Sequence, residues 1–479
     1  MRFAHCKIRQ KRENKLNGAV VRLFVSALEY SANIHLKYLL REMIKCENIE
    51  LCGIFDESIL DSINESQCGL PRLAKGKSRN DEFFISGKSL CNIDSIAVMG
   101  FIDVLKRARF FLELRKKCVN LALSADKILL MDSSSFNIPL AKRVKKRDSH
   151  KMIMYYILPQ VWAWKPWRAR VIEANCDRLA AILPFEVKCY EKKAKFVGHP
   201  LLDEIKAFRG GNSLENSSLG APLALGENFG EQQTASLVLS PKFSPNTKIP
   251  LQILELDSGE SGDSSLRGRI ANSHEAIQNN EVDCHESPRD SRNDKLFTFM
   301  PGSRLSEINR IFPIFLQVKD ELKKRDSKAQ FNLVVPKKFK GKNLAQIYGD
   351  LNDFHITFDA HTSLLQSTFA FICSGTATLE CALIGTPFVL GYQGRWIEAF
   401  VVKQFLNIRF VGLANLLYSH IAPNSQFHTE LLQENLNAKN LLDSYLNANP
   451  NDFLEKSLAL RAYLKNGSAR AVAQWLLEK

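Results

Sequence analysis

The segment FAFICSGTATLEC (369–381) sets an apolar, strand-like run, Phe369–Cys373, directly before Ser374-Gly375-Thr376 and a helical stretch that contains Glu380. A strand ending in such a turn leaves backbone N–H groups and a hydroxyl at a helix N-terminus, where the dipole favours an anion such as phosphate. Glu380, a turn and a half further on, is placed to accept hydrogen bonds from hydroxyls on whatever carries that phosphate. The chemistry this suggests is the grip on a sugar nucleotide. MPGSRLSE (300–307) repeats the design. Pro301 and Gly302 make the turn, Ser303 is the expected cap, and Arg304 projects beside the helix N-terminus, where a guanidinium can pair with a diphosphate in bidentate fashion. Glu307 follows Ser303 by four residues, which argues against a strict capping box. A plain strand–turn–helix link with a surface Arg is the alternative for this motif, and a second phosphate-compatible turn in the same half weighs against it.

The N-terminal half offers carboxylates instead. SALEYSAN (26–33) ends a strand and begins a helix, so Glu29 falls at the carboxyl end of the first strand, where open α/β sheets bind ligands. Helix capping is its rival role. In LMDSSSFNIPLAKRVKK (130–146), Asp132 ends a strand and Asn137 opens the next helix; either can face a cleft, with capping by the serines as the alternative. YILPQVWAWKPWRARVIE (156–173) holds Trp162, Trp164 and Trp167 beside Lys165, Arg168 and Arg170. Tryptophan with cations suits a lipid-facing or sugar-stacking loop, unless Trp162 and Trp164 are core and Trp167 caps a helix. VMGFIDVLKRARFFLELRKK (98–117) is a basic amphipathic stretch that suits either a membrane surface or packing on the sheet.

The elements that must position these residues alternate along the chain. Apolar runs at VRLFVSA (21–27), ELCGIFD (50–56), KILLMD (127–132), KMIMYYILP (151–159), RLAAILP (178–184) and AKFVGHP (194–200) are separated by helical stretches. LFTFM (296–300), FNLVVP (331–336), FHITFD (354–359), FAFIC (369–373) and PFVLGY (387–392) continue the pattern. Such runs read as parallel strands buried on both faces, hence two α/β domains with a cleft between them. The expected organisation is a basic extension (1–20), an N-terminal Rossmann-like domain (21–207), an insert (208–293), a second Rossmann-like domain (294–395) and a helical tail (396–479). The insert, crowded with Ser, Gly, Asn and Glu and without periodicity, cannot bury enough apolar area to offset its ordering entropy and is expected to be mostly disordered.

At 479 residues, two domains are the natural division. Lys+Arg 65 against Asp+Glu 51 gives +14, with basic clusters at Lys7–Lys15, Lys106–Lys117, Lys142–Lys151, Lys165–Arg170 and Lys188–Lys195. Nucleic acid, anionic lipid or a phosphorylated substrate each suit that surface. No nucleic-acid motif supports the first. Eleven cysteines, an odd number without a C-x-x-C or a zinc-spaced Cys/His pair, point to reduced thiols, with no disulfide framework and no metal site. No run reaches the ~18 apolar residues of a spanning helix, and MRFAHCKIRQKRENKLNGA lacks the apolar core of a signal peptide. A cytoplasmic chain follows.

AVMGFIDVLKRARFFLELR, LMDSSSFNIPLAK, YYILPQVWAW, LPFEVKCYEKKAKFVGHPLLD, MPGSRLSEI, CSGTATLECALIGTPFVLGY and LANLL resemble, in order, the motifs of lipid-A-disaccharide synthases. The resemblance runs from Val21 to the C-terminus except for 208–293, where the family has only a short linker. It implies a GT-B glycosyltransferase that condenses UDP-2,3-diacylglucosamine with 2,3-diacylglucosamine 1-phosphate, with inversion and without a metal or other cofactor, peripheral to the cytoplasmic face of the inner membrane of a Gram-negative cell. It maps the donor site to Gly302, Ser303, Arg304, Ser374, Gly375, Thr376, Glu380 and Asn415, and it matches Glu29 and Ser31 to a first loop. Two departures stand out. A loop that in the family resembles G-E-x-S-G-D is here Leu28-Glu29-Tyr30-Ser31-Ala32-Asn33, and the family's D-x-P-D-F-N has Ser135 for its second carboxylate. The catalytic residues are therefore expected to be Glu29 or Asp132 as base and Arg304 at the leaving group. Another UDP-sugar enzyme of the same fold, a cell-wall glycosyltransferase or a UDP-GlcNAc epimerase, is the nearest alternative, with a catalytically dead lipid-binding relative behind it.

Overall fold

A computed structural model describes residues 20–68, 84–92, 108–163, 165–205, 208–209, 295–373, 375–394 and 409–478. Ser374, Trp164, residues 98–107, the extension up to residue 19 and nearly all of the expected insert lie outside them.

The first sheet contains β1 (Val20–Ala27), β2 (Asn48–Ile54), β3 (Ile85–Ser89), β4 (Lys127–Met131), β5 (Ile153–Tyr156), β6 (Arg178–Ala181) and β7 (Ala194–Phe196). Between them run α1 (Tyr30–Met43), α2 (Ser58–Cys68), α3 (Ala108–Ser124), α4 (Ser134–Arg147) and α5 (Arg168–Asn175), and α6 (Pro200–Glu204) follows. All its pairings are parallel, in the order β3-β2-β1-β4-β5-β6-β7. The second sheet contains β8 (Leu296–Met300), β9 (Gln330–Val334), β10 (Phe354–Thr357), β11 (Phe369–Ile372), β12 (Phe388–Tyr392) and β13 (Glu430–Leu432). Its helices are α7 (Leu305–Arg325), α8 (Leu344–Tyr348), α9 (Ala360–Gln366), α10 (Thr376–Ile384), α11 (Leu413–Tyr418) and α12 (Ala438–Leu446). The order is β10-β9-β8-β11-β12-β13, again all parallel. α13 (Pro450–Leu464) and α14 (Ser468–Leu477) close the chain. This is the expected pair of Rossmann-like sheets of the GT-B class.

Alternation along each central strand feeds two cores. Leu23 and Val25 of β1 pack with Leu36, Leu39, Leu40 and Met43, the i, i+3, i+4, i+7 stripe of α1. Phe24 points the other way, to Leu130, Leu140 and Val144. In β11, Phe369 and Phe371 join Phe299 and Phe315, while Ala370 and Ile372 face Leu379 and Leu383 of α10. Strands sandwiched in this way show no polar face, which is why they read as continuous apolar runs.

Three features depart from the sequence reading. β3 was not expected: its pattern is mostly exposed, as suits an edge strand. The tail is not purely helical, because β13 pairs with β12. The tail also returns to the first sheet, where Val472 and Leu476 of α14 join the α1 core. Asp203 fastens that return by accepting from the backbone N–H groups of Gly467 (2.6 Å) and Ala469 (2.7 Å). Finally, Phe208 and Arg209, placed in the insert by sequence, belong to the folded body: Arg209 N–H donates to Ile384 O (3.1 Å), and the Arg461 guanidinium lies 4.7 Å from the Phe208 ring.

Candidate active site

Each sheet reverses its strand order once, between β1 and β4 and between β8 and β11. Open parallel sheets bind ligands at the carboxyl ends of the strands flanking such a reversal. Glu29 follows β1 and Asp132 follows β4; Gly302-Ser303-Arg304 follows β8 and Gly375-Thr376 follows β11. Glu29 and Asp132 thus flank the first reversal, and Gly302-Ser303-Arg304 and Gly375-Thr376 flank the second.

At the first reversal the carboxyls of Glu29 and Asp132 come together. Desolvation raises the Glu29 carboxyl to about 7, with the Asp132 charge and a hydrogen bond to Asp132 adding to the rise and Ser133 opposing it. Ser133 Oγ donates to Glu29 Oε1 (3.3 Å), and its N–H donates to Asp132 Oδ1 (2.8 Å). Asp132 and Ser133 both have left-handed backbones, φ +49° and +37°. For residues with a side chain this costs about 1–3 kcal/mol each, and it persists only where the surroundings enforce it. Here Tyr155 Oη (2.5 Å) and Asn137 Nδ2 (3.0 Å) both donate to Asp132 O.

Asn137 does not face the cleft. It is fully buried, accepts from Ser26 Oγ (2.6 Å), and donates to Met131 O (2.9 Å) as well as Asp132 O. The serines do not cap α4 through their side chains. Nor does Glu29 cap α1: it occupies the N-cap position without a side-chain bond, leaving its carboxyl to Asp132 and Ser133. Ser31 and Ser135 are exposed on the first turns of α1 and α4.

At the second reversal the N-cap of α7 is Arg304, not Ser303, so Glu307 stands at the third helical position and a capping interaction does form. Glu307 Oε2 accepts from the N–H groups of Ser303 and Arg304, both at 3.1 Å, and Oε1 lies 3.2 Å from Arg304 Nη1. Arg304 itself is 76% exposed. Gly302, at φ +105°, is required twice over: a Cβ there would stand 2.7 Å from Glu307 Oε2 and 3.1 Å from Cys373 Sγ at the end of β11. Gly375, at φ +122°, caps α10 and has no described atom within 4 Å of a Cβ position, while Thr378 Oγ1 donates back to its carbonyl (3.0 Å). Thr376 is exposed at the same helix start.

Glu380 lies one turn further along α10, beside residues of both domains. Desolvation raises its carboxyl; His361 of α9 and His35 of α1 oppose the rise and Glu204 of α6 adds to it. His35 Nδ1 is paired with Glu204. Asn415 is not available to a ligand. Fully buried, it donates to His428 O (2.9 Å) and Glu430 Oε1 (2.8 Å) and accepts from Phe427 N–H (2.7 Å) and His428 N–H (3.0 Å), so its hydrogen-bonding capacity is filled. Its role is to hold Glu430, which accepts from the N–H groups of Val411 and Gly412, both at 2.9 Å, before α11.

Several residues escaped the sequence reading. Lys338, after β9, reaches the Arg304 turn: partial burial lowers its ammonium from the ordinary value, Glu307 opposes, and Lys342 and Arg304 add to the fall. The signal was the run PKKFKGK, whose position opposite Arg304 depends on the β8–β9 pairing. His35 and His361 carried no motif. Of the tryptophans, Trp162 stacks edge-on with Phe185 (5.3 Å), whereas Trp167 is 61% exposed with the Arg168 guanidinium 5.9 Å from its ring. Arg168 Nη1 donates to Ser134 Oγ (3.1 Å), which ties this aromatic rim to the Asp132 loop. The stretch at 98–117 divides: Leu114 packs on the sheet, while Phe110 and Leu112 are exposed.

The carboxyl pair at one reversal and the cations with helix-start amides at the other sit on two Rossmann-like sheets of the GT-B class, the fold of a large group of glycosyltransferases. The sequence model described as lipid-A-disaccharide synthetase matches residues 84–222 and 274–469. The lipid-A-disaccharide synthase of Helicobacter pylori (strain Shi470) is 38% identical over 458 residues, 94% of this chain and 96% of that protein. That of Campylobacter jejuni (strain RM1221) is 34% identical over 457 residues, 95% and 98%. The chain belongs to the lipid-A-disaccharide synthetase family, the glycosyltransferases of lipid A biosynthesis. Among solved structures, the UDP-GlcNAc 2-epimerase from Neisseria meningitidis bound to UDP-GlcNAc aligns with TM-score 0.47 at 10% identity, covering 96% of this chain and 100% of that one. The glycosyltransferase SnogD from Streptomyces nogalater aligns with TM-score 0.46 at 11% identity, covering 96% and 100%.

Proposed function

We propose that this chain transfers the sugar of UDP-2,3-diacylglucosamine to the 6-hydroxyl of 2,3-diacylglucosamine 1-phosphate, inverting the anomeric carbon and releasing UDP and a β(1→6) tetraacyl disaccharide 1-phosphate. The observation that carries the reading is the opposite chemistry of the two strand-order reversals. The Glu29–Asp132 pair takes the proton of the attacking hydroxyl. A carboxyl raised to about 7 is half ionised near neutrality, where a positioned base contributes about 10²–10⁴-fold. As the glycosidic bond breaks, the sugar takes on oxocarbenium character and negative charge grows on the diphosphate. Arg304, Lys338 and the start of α10 meet that charge, and Glu380 receives nucleotide hydroxyls. No metal enters these steps, so the rate is expected to persist in EDTA.

Both substrates carry acyl chains. Trp167, exposed beside Lys165, Arg168 and Arg170, and Phe110 and Leu112, exposed on α3, suit an apolar contact with an anionic membrane surface. Among the described residues no helix is long and apolar enough to cross a membrane; the family membership and the acylated substrates support peripheral association with the cytoplasmic face of the inner membrane. The test is incubation with UDP-2,3-diacylglucosamine and the 1-phosphate acceptor, followed by mass analysis of the lipids. A tetraacyl disaccharide 1-phosphate with stoichiometric UDP is expected. UDP release or sugar epimerisation without a disaccharide refutes the reading.

A further inference from the structure

Neither carboxyl of the first reversal is held by its own secondary structure, since each sits just past the end of a strand. Each is held by a buried asparagine one turn into the following helix. Asn33, 2% exposed, donates through Nδ2 to Ala27 O (2.9 Å) and Glu29 O (2.8 Å), and accepts through Oδ1 from the N–H of Asp56 (2.8 Å), just past the end of β2. Asn137, 0% exposed, donates through Nδ2 to Met131 O and Asp132 O and accepts through Oδ1 from Ser26 Oγ of β1. The pattern is the same twice. One amide grips the last strand carbonyl and the carbonyl at or beside the carboxyl-bearing residue, and its oxygen is anchored on a neighbouring strand or just past its end. The Asn137 anchor crosses the reversal itself, from β4 to β1.

We infer that Asn33 and Asn137 are positioning residues that hold the Glu29 and Asp132 carboxyls within reach of one another and of the attacking hydroxyl. The inference rests on those carboxyls being the base. Only a carboxamide fits both sites. An ionised carboxylate cannot donate to two carbonyls, and a hydroxyl cannot donate twice. Without Asn137, the left-handed backbone at Asp132 and Ser133 keeps, among the described residues, only the Tyr155 hydroxyl as a side-chain donor to Asp132 O, and the turn is free to relax to an unstrained conformation. A shift of about 1 Å at a reacting group is enough to cost about 10²-fold.

The experiment compares wild type with Asn33→Ala and Asn137→Ala, with Ser26→Ala as a milder variant that keeps the Asn137 amide but removes its anchor. Thermal melts establish folding, and kcat, KM and the pH profile of kcat/KM are measured with both lipid substrates. Asp132 is the ionisable neighbour that acts on Glu29 among the described residues. Separating the two carboxyls removes that contribution, so the rising acid limb moves to lower pH. The expected result is a kcat lowered by about 10–100-fold in the alanine variants and by less in Ser26→Ala, donor KM within about twofold, and an acid limb displaced downward. A folded variant with lower stability but unchanged kcat and an unchanged acid limb overturns the positioning role; if neither alanine variant folds, the same outcome in Ser26→Ala does so. Glu29→Gln and Asp132→Asn are measured in parallel. Full transfer in both overturns the base reading, and the positioning role with it, whereas their inactivity alongside normal asparagine variants overturns the positioning role alone.

Discussion

Replacing Arg304 by alanine separates catalysis from stability. The guanidinium is 76% exposed and among the described residues its ion-pair partner is Glu307 at 3.2 Å, so the pair sits at the low end of the roughly 0–1 kcal/mol expected of surface pairs. Glu307 keeps its two backbone donors, Ser303 and Arg304 N–H, whatever side chain follows, so α7 remains capped. The melting temperature should fall by no more than about 2–4 °C. The catalytic loss is of another size. Removing one preorganised donor from a site of developing charge costs about 10²–10³ in kcat, or roughly 2.7–4 kcal/mol. Because the diphosphate gains charge only as the glycosidic bond breaks, the loss should appear mainly in kcat. Arg304→Lys restores the charge but not the two parallel N–H donors, and should recover only part of the rate. The assay is the rate of disaccharide formation by mass analysis beside a thermal melt. A folded Arg304→Ala enzyme within about threefold of wild-type kcat/KM refutes the reasoning.

Three further outcomes follow from the same geometry. Glu307→Ala strips the cap from Ser303 and Arg304 and should lower stability by about 1–2 kcal/mol, more than Arg304→Ala does; the reverse ranking in denaturant titrations would contradict the capping account. Asn415→Ala leaves several buried partners unmatched and should cost about 3 kcal/mol or more while donor KM in the folded enzyme stays unchanged; a stable variant with a raised donor KM would return Asn415 to the donor site. Glu29 must lose its proton to act as base, and its carboxyl is raised to about 7, so kcat/KM should climb with pH through that value; a flat profile from about pH 6 to 8 excludes it.

Much of this was legible because it is local. A buried parallel strand announces itself as a short apolar run, and Gly302 and Gly375 mark turns whose positive φ values only glycine adopts cheaply. What stayed hidden depends on register and long-range pairing. β13 lies about 40 residues beyond β12 in a stretch of helical texture, and only its pairing with Gly391 and its neighbours makes it a strand. Asn137 and Asp132 looked equivalent as candidates; the amide's burial follows from Ser26, 111 residues away. Asn415 matches a family position, yet its sequence carries no sign that Phe427, His428 and Glu430 converge on it. Lys338 needed the β8–β9 register to reach Arg304.

The two phosphate-compatible turns of the second sheet looked alike in sequence, and their environments make them unlike. At the Arg304 turn a carboxylate already sits on the amides: Glu307 takes the N–H groups of Ser303 and Arg304 and lies against the guanidinium. That occupancy demonstrates that the turn suits an oxyanion, and it also means that those two N–H groups are engaged, so recognition there falls to the side chains of Arg304 and Lys338. At Gly375 no described carboxylate plays that part. The glycine is open, and Thr378 satisfies its carbonyl, an acceptor, without touching the donors at the helix start. Under the proposed function, dipole and amides would act directly at the α10 turn and cationic side chains at the α7 turn. A diphosphate spanning the β8–β11 reversal would then meet backbone amides on one side and an exposed guanidinium on the other, so the leaving-group charge stabilisation lost with Arg304 would not be made good by the backbone alone.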